Sequence, residues 1–133
     1  MTRRYLLFSA SLLCLIALGY GVAPGLILPL FLDLAVDGID LTHIFRAIMG
    51  LYLAMSFLWI AGAYLPSLTL TAVIAETVFM AGLALGRLLS VFVDGQPSPL
   101  LVVGLVIEAL LAVWGGGLAV KLRSEIEGPQ GRD

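Results

Sequence analysis

Hydrophobic residues run through this chain in four long, nearly uncharged stretches, approximately 5–23, 42–64, 68–92 and 99–120. An α-helix rises 1.5 Å per residue, so about 20 residues cross a hydrocarbon layer ~30 Å thick. Each stretch has about that length. The pattern therefore predicts an all-α fold, an integral membrane four-helix transmembrane bundle formed by one domain over residues 1–123. Residues 124–133 (SEIEGPQGRD) are polar, contain Gly and Pro, and are predicted to be a disordered tail. The apolar segment 24–32 (PGLILPLFL) is too short to cross. It is expected to lie at the membrane interface or dip shallowly into the bundle, ending at Asp33. Pro66 and Ser67 mark a tight hairpin that makes the second and third spans antiparallel neighbours. Pro99 suits the first turn of the fourth span, where a missing N–H costs nothing. Asp40 or Thr42 is expected to cap the second.

The polar positions between the spans orient the bundle. Arg3 and Arg4 precede the first span, and Lys121 and Arg123 follow the fourth. The first-to-second connection carries Asp33, Asp37 and Asp40, and the third-to-fourth carries Asp94, with no Lys or Arg in either. By the positive-inside rule both termini are expected to be cytoplasmic and the acidic loops outside. Tyr5, Trp59, Tyr64 and Trp114 are then expected at the cytoplasmic boundary, where amphipathic rings favour the headgroup layer. Residues 5–20 behind two arginines also resemble a signal peptide. The run is longer than the usual apolar core of one, and Pro24 follows directly, so it is read as a retained first helix.

Composition narrows the function classes. Hydrophobic residues make up 61% of the chain and charged residues 12%, and the mean hydropathy is +1.10. A net charge of −2 with no basic stripe points away from nucleic acid. Cys14 is the lone cysteine and His43 the lone histidine, so neither an internal disulfide nor a zinc site of the usual kinds is expected. No cofactor is implied.

Four ionisable residues lie well inside the spans: Arg46, Glu76, Arg87 and Glu108. Each costs about 2.5–3.5 kcal/mol at a helix centre on insertion-derived scales, so pairing is favoured. Arg46, Arg87 and Glu108 lie roughly 6, 8 and 14 Å inside the outer boundary at the helical rise. Glu76 enters from the opposite end and is left without an evident partner. It is read as neutral or as a contact to another subunit. On the third span Glu76, Met80, Leu83, Arg87, Ser90 and Asp94 form one stripe, because their steps alternate between four and three. On the second, His43, Arg46, Gly50, Phe57 and Tyr64 share a face. On the fourth, Gly104, Glu108, Ala112 and Gly116 recur every four residues. With these faces turned inward, the second, third and fourth spans enclose an outer-leaflet cluster of Arg46, Arg87 and Glu108, with His43 and Asp94 at its mouth.

Each of these groups also has a plainer reading. Arg87 and Glu108 read first as an interhelical ion pair that fixes packing, and second as a ligand site. Arg46 either joins them or snorkels to the headgroups, and His43 reads as a solvated boundary residue before a proton relay. Asp94 caps a turn or pairs with Arg87. Ser9, Ser11 and Thr77 are expected to bond their own helix backbones. Gly82 and Gly86 form a GxxxG pair, and Gly50 with Ala54 is its small-residue counterpart; both are read mainly as contacts within the bundle.

The pattern Arg46-x3-Gly50-x-Tyr52, then Gly86-Arg87-x2-Ser90-x3-Asp94-Gly95-x-Pro97, then Glu108 resembles a family of small four-helix bacterial membrane proteins, known as domain of unknown function, family 4345. The likeness covers most of the chain, from the first span to the fourth, and its most specific part is R-x2-S-x3-D-G-x-P. A looser likeness, of architecture only, extends to DoxX-like families. The resemblance implies the four-span fold and a bacterial inner-membrane location. It also places Arg46, Arg87, Ser90, Asp94 and Glu108 at patterned positions, and implies no activity.

Two functions compete. The first is a non-enzymatic structural or accessory membrane module, alone, as a homo-oligomer or within a larger membrane complex. The second is a binder of a lipid, quinone or other small hydrophobic ligand, or a small transporter, using the outer cluster. An enzyme is disfavoured, because no nucleophile–base spacing, metal cluster or phosphate loop is visible.

Overall fold

A computed structural model describes residues 1–32 and 34–128. It contains five helices: α1 (Thr2–Gly21), α2 (Pro24–Leu32), α3 (Ile39–Tyr64), α4 (Pro66–Val93) and α5 (Pro99–Glu127). All but α2 are long and apolar enough to cross a membrane. In lipid the backbone must satisfy its own hydrogen bonds, which is why uninterrupted helices carry the chain across. This is a membrane protein. α2 is the short apolar segment, folded as one helix that contains Pro29.

The helix ends follow from local chemistry. Leu65 alone separates α3 from α4, and Pro66 opens α4 with the proline ring already set for helix. Thr69 Oγ1 donates to the carbonyl of Gly62 at 2.8 Å and so binds the two sides of this hairpin. Pro99 likewise opens α5. The start of α3 differs from expectation: neither Asp40 nor Thr42 caps it. Gly38 takes the cap position with φ +96°, and the Thr42 hydroxyl donates back to its carbonyl at 3.1 Å. Asp40 sits in the first turn, where its negative charge meets the positive end of the helix. α5 continues past Val120 to Glu127, because Lys121–Glu125 and Arg123–Glu127 pair one turn apart. Of the expected tail, residues 129–133 lie outside the described residues.

α1 packs most extensively on α3, and α4 on α5, while the hairpin joins α3 to α4. The inner face of α1 (Tyr5, Leu6, Ala10, Leu13, Ala17) fills the groove the other spans leave. Two glycines allow close approach. A Cβ on Gly62 of α3 would overlap Ala72 on α4, and one on Gly115 of α5 would overlap the Tyr5 hydroxyl and Thr77. Gly82, Gly86 and Gly50, in contrast, have nothing within 4 Å of such a Cβ, and Gly82, Gly86, Gly50 and Ala54 are all exposed. The small-residue motifs on α3 and α4 therefore face out of the bundle.

The inward face of α3 is also not the expected one. Tyr52, Ser56, Trp59 and Gly62 are buried, while His43, Arg46, Gly50, Phe57 and Tyr64 are exposed. Tyr5 and Trp59 are wholly buried in protein rather than placed in a boundary belt. Trp59 meets Phe79 edge-on at 5.6 Å, Phe79 meets Tyr52 at 5.3 Å, and Tyr52 meets Tyr20 at 6.0 Å. This run of rings joins α1, α3 and α4. Tyr64 remains exposed and carries the Arg3 guanidinium over its face at 4.4 Å, which brings the start of α1 to the α3–α4 hairpin.

Candidate functional site

α4 carries its two ionisable residues on one inward stripe, Glu76, Met80, Leu83 and Arg87. Eleven residues separate the charges, about 16 Å along the helix. The stripe thus serves two polar centres at different depths.

The centre nearer the α4–α5 connection is the pair Arg87–Glu108. Arg87 Nε donates to both carboxylate oxygens of Glu108, at 2.8 and 3.1 Å. The side chains are 26% and 10% exposed. The pairing of α4 with α5 therefore supplies each buried charge with its counter-ion, as the cost of isolated charge in lipid demands. Glu108 is the only described residue that meets hydrogen-bond geometry with Arg87, and Tyr20 of α1 stands next to the guanidinium.

A chamber of about 290 Å³ opens beside this pair. Its walls come from α1, α2 and α5, with Arg87 on α4, and they are almost wholly apolar apart from Tyr20, Arg87 and Glu108. A smaller cavity of about 60 Å³ lies deeper, between the same ion pair and Tyr52. Gly104, one turn before Glu108 on α5, lines both. A Cβ there would meet nothing within 4 Å.

The other expected members separate from this site. Arg46 and His43 lie on the exposed side of α3, away from both cavities, so α3 contributes Tyr52 and not a cation. The site lies among α1, α2, α4 and α5 rather than among the second, third and fourth spans. Ser90 and Asp94 are exposed and bond each other, Ser90 Oγ donating to Asp94 Oδ2 at 2.7 Å. Asp94 thus forms the C-terminal cap of α4 and does not pair with Arg87. Ser90 borders a small cleft of about 80 Å³ with Arg87 and Pro97.

The second centre surrounds Glu76, which has partners after all. It is fully buried, and it accepts hydrogen bonds from the Tyr5 hydroxyl and, at 3.0 Å, from Ser9 Oγ. The Tyr5 hydroxyl also reaches the Leu111 carbonyl of α5 at 2.9 Å. Both donors come from α1. Their spacing of four residues puts them on one helix face, a signal visible in the sequence but masked by the reading of Tyr5 as a boundary ring. Ser9 therefore does not bond its own helix, whereas Ser11 and Thr77 do, to Leu7 and Val73 at 2.8 Å each. No group of three or more metal-ligating side chains occurs among the described residues.

No characterised protein and no solved structure matches the chain significantly, and the looser likeness to DoxX-like families finds no support. One family model does match, over residues 1–118, which takes in α1 to α4 and α5 as far as Leu118, both polar centres included. The chain belongs to the family described as Domain of unknown function (DUF4345).

Proposed function

We propose that this protein is a non-enzymatic membrane module that takes a small hydrophobic molecule from the bilayer into the chamber beside Arg87 and Glu108. The observation that carries this reading is the chamber itself, about 290 Å³ with apolar walls and one ion pair. A cavity of about 150 Å³ lined by apolar side chains stays dry and admits benzene, and ordinary ligand pockets begin near 300 Å³. Arg87 and Glu108 are committed to each other, which favours holding a ligand over acid–base chemistry. Mass spectrometry of the protein purified in mild detergent tests the proposal. A small hydrophobic molecule should co-purify with it and be lost from Gly104→Leu, which fills the chamber. Identical empty spectra from both proteins would count against it.

The location proposed is a bacterial inner membrane with both termini cytoplasmic. Arg3, Arg4, Lys121 and Arg123 at the ends and Asp37, Asp40 and Asp94 in the connections support this orientation. In a Cys14→Ser background, single cysteines at positions 2 and 37 should react with an impermeant thiol reagent from opposite sides.

One observation favours a second role, as a structural or accessory subunit. Gly82 and Gly86 face outward on α4 with open space above them, a surface on which a helix of a second copy or of a partner subunit packs closely. Cysteine crosslinking at position 86 in native membranes tests it, and absence of any crosslinked species would remove the support.

A further inference from the structure

Resting on that reading, we infer that the chamber selects an uncharged, single-tailed amphiphile whose head carries a carbonyl oxygen, and that this ligand enters sideways from the lipid between α2 and α5.

The head-group argument is a count of charges and donors. The chamber holds one cation and one anion in direct contact, so it is neutral when empty. An added anion would face the Glu108 carboxylate at low dielectric and leave the site with a net charge; an added cation would do the same beside Arg87. A neutral acceptor changes neither. The donors for it are present. Arg87 spends Nε on Glu108 and has Tyr20 beside its guanidinium, which still leaves amino N–H groups beyond those two contacts. A carbonyl oxygen fits these donors, and the Tyr20 hydroxyl stands beside them.

The tail argument is one of size and access. Leu12 and Ile16 of α1, Leu28 and Phe31 of α2, and Leu101 and Ile107 of α5 form the apolar walls. The space they line is about 290 Å³, near twice the volume that holds one benzene ring, which suits a single alkyl tail. α2 packs on α1 and α3 but has no comparable packing on α5. Phe31 and Val103, on the two sides of this seam, are largely exposed. The seam opens toward lipid, where a bilayer-dissolved molecule already resides.

The test uses the full chain in lipid nanodiscs and three probes with matched tails: 2-undecanone, decanoate at pH 8 and undecane. The ketone should bind about tenfold tighter than undecane, the worth of one charge-assisted hydrogen bond, and tighter than decanoate. Its carbonyl infrared stretch should fall on the protein but not in empty nanodiscs. Gly104→Leu should lose both signals with an unchanged circular dichroism spectrum. The double variant Arg87→Met with Glu108→Leu removes the donors without leaving a lone buried charge, so it should retain tail binding and lose the stretch shift. Decanoate binding as tightly as the ketone, undecane doing so, or a bound ketone with an unshifted stretch would each overturn the head-group assignment while leaving the chamber reading intact. Binding of none of the probes, with no co-purifying molecule, would overturn the chamber reading itself.

Discussion

The Tyr5 hydroxyl, in the first turns of α1, sits between two acceptors on two other helices, Glu76 Oε2 on α4 and the Leu111 carbonyl on α5 at 2.9 Å. One tyrosine thus ties three spans together at a point where every participant is buried. Gly115 is what makes room, since any Cβ at that position would overlap the tyrosine oxygen. In a bilayer, where apolar surface gains little from meeting other apolar surface, such polar links and close backbone approaches carry much of the specificity of packing.

Removing the Tyr5 hydroxyl should therefore loosen α1 from the bundle. Tyr5→Phe keeps the ring against Trp114, whose centroid is 5.1 Å away, and deletes only the oxygen. It should destabilise the protein by about 1–2 kcal/mol, the range for buried polar groups that lose a partner and for the stronger interhelical bonds in membranes. Glu76→Gln supplies an amide donor to the tyrosine and should remain within about 1 kcal/mol of the parent, whereas Glu76→Leu leaves Tyr5 only the Leu111 carbonyl, takes the acceptor from Ser9, and should cost about 2 kcal/mol or more. Thermal unfolding in detergent micelles ranks the three variants. A Glu76→Leu variant as stable as Glu76→Gln would show that the network does not hold the helices.

The ion pair makes a sharper prediction, because each partner is costly when left alone. Arg87→Met leaves a carboxylate in the bundle, and Glu108→Leu leaves a guanidinium. Each single change should cost about 3–5 kcal/mol, whereas the double variant leaves no buried charge and should be milder than either. A double-mutant cycle on unfolding free energies measures the coupling. Additive losses would show that the two side chains act independently despite their 2.8 Å contact.

How far the residue pattern foretold these features depends on the kind of signal. The four spans were legible because length and hydropathy report them directly. The inward stripe of α4 was legible too, since Glu76 and Arg87 lie eleven residues apart and charges in lipid point at partners. The same rule misplaced α3. His43 and Arg46 point to the wrong phase because they sit close enough to the helix start to be exposed, while the buried face is set by Tyr52, Ser56 and Trp59. Nearly uniform hydrophobicity leaves such a helix without a readable phase, because lipid and protein neighbours suit the same apolar side chains. The partners of Glu76 are hidden in the sequence for a related reason: they are hydroxyls on α1 and not opposite charges. The chamber was not legible, since it exists only where four helices meet.

Glycine spacing shows the same limit, and it can be checked by substitution. Gly62→Ala places a methyl where Ala72 Cβ already lies, with the Leu68 carbonyl 3.2 Å away. It should push the α3–α4 hairpin apart at a cost of about 1–3 kcal/mol, as overpacking does. Gly82→Ala, within the GxxxG pair, meets nothing and should be neutral or stabilising by up to about 1 kcal/mol through helix propensity. Unfolding of the monomeric protein in detergent distinguishes the two, and an equally harmful Gly82→Ala would indicate that the outward face is occupied.

The most specific part of the family-like pattern, Arg87-x2-Ser90-x3-Asp94-Gly95-x-Pro97, divides in the structure between a site and a turn. Arg87 belongs to the chamber, while Ser90, Asp94 and Gly95 build the end of α4. Asp94 caps the helix with its N–H on the Ser90 carbonyl at 2.7 Å, and Gly95 follows with φ +101°, a conformation that side chains with a Cβ resist. Gly95→Ala should therefore cost about 1–2 kcal/mol in stability and leave ligand affinity in the surviving folded protein unchanged. Ser90→Ala removes one exposed hydrogen bond and should cost about 0.5 kcal/mol or less. Binding of 2-undecanone, measured alongside unfolding for both variants, separates the two halves of the motif. A loss of binding in Ser90→Ala at unchanged stability would move Ser90 from the turn into the ligand site, through the small cleft that it shares with Arg87 and Pro97.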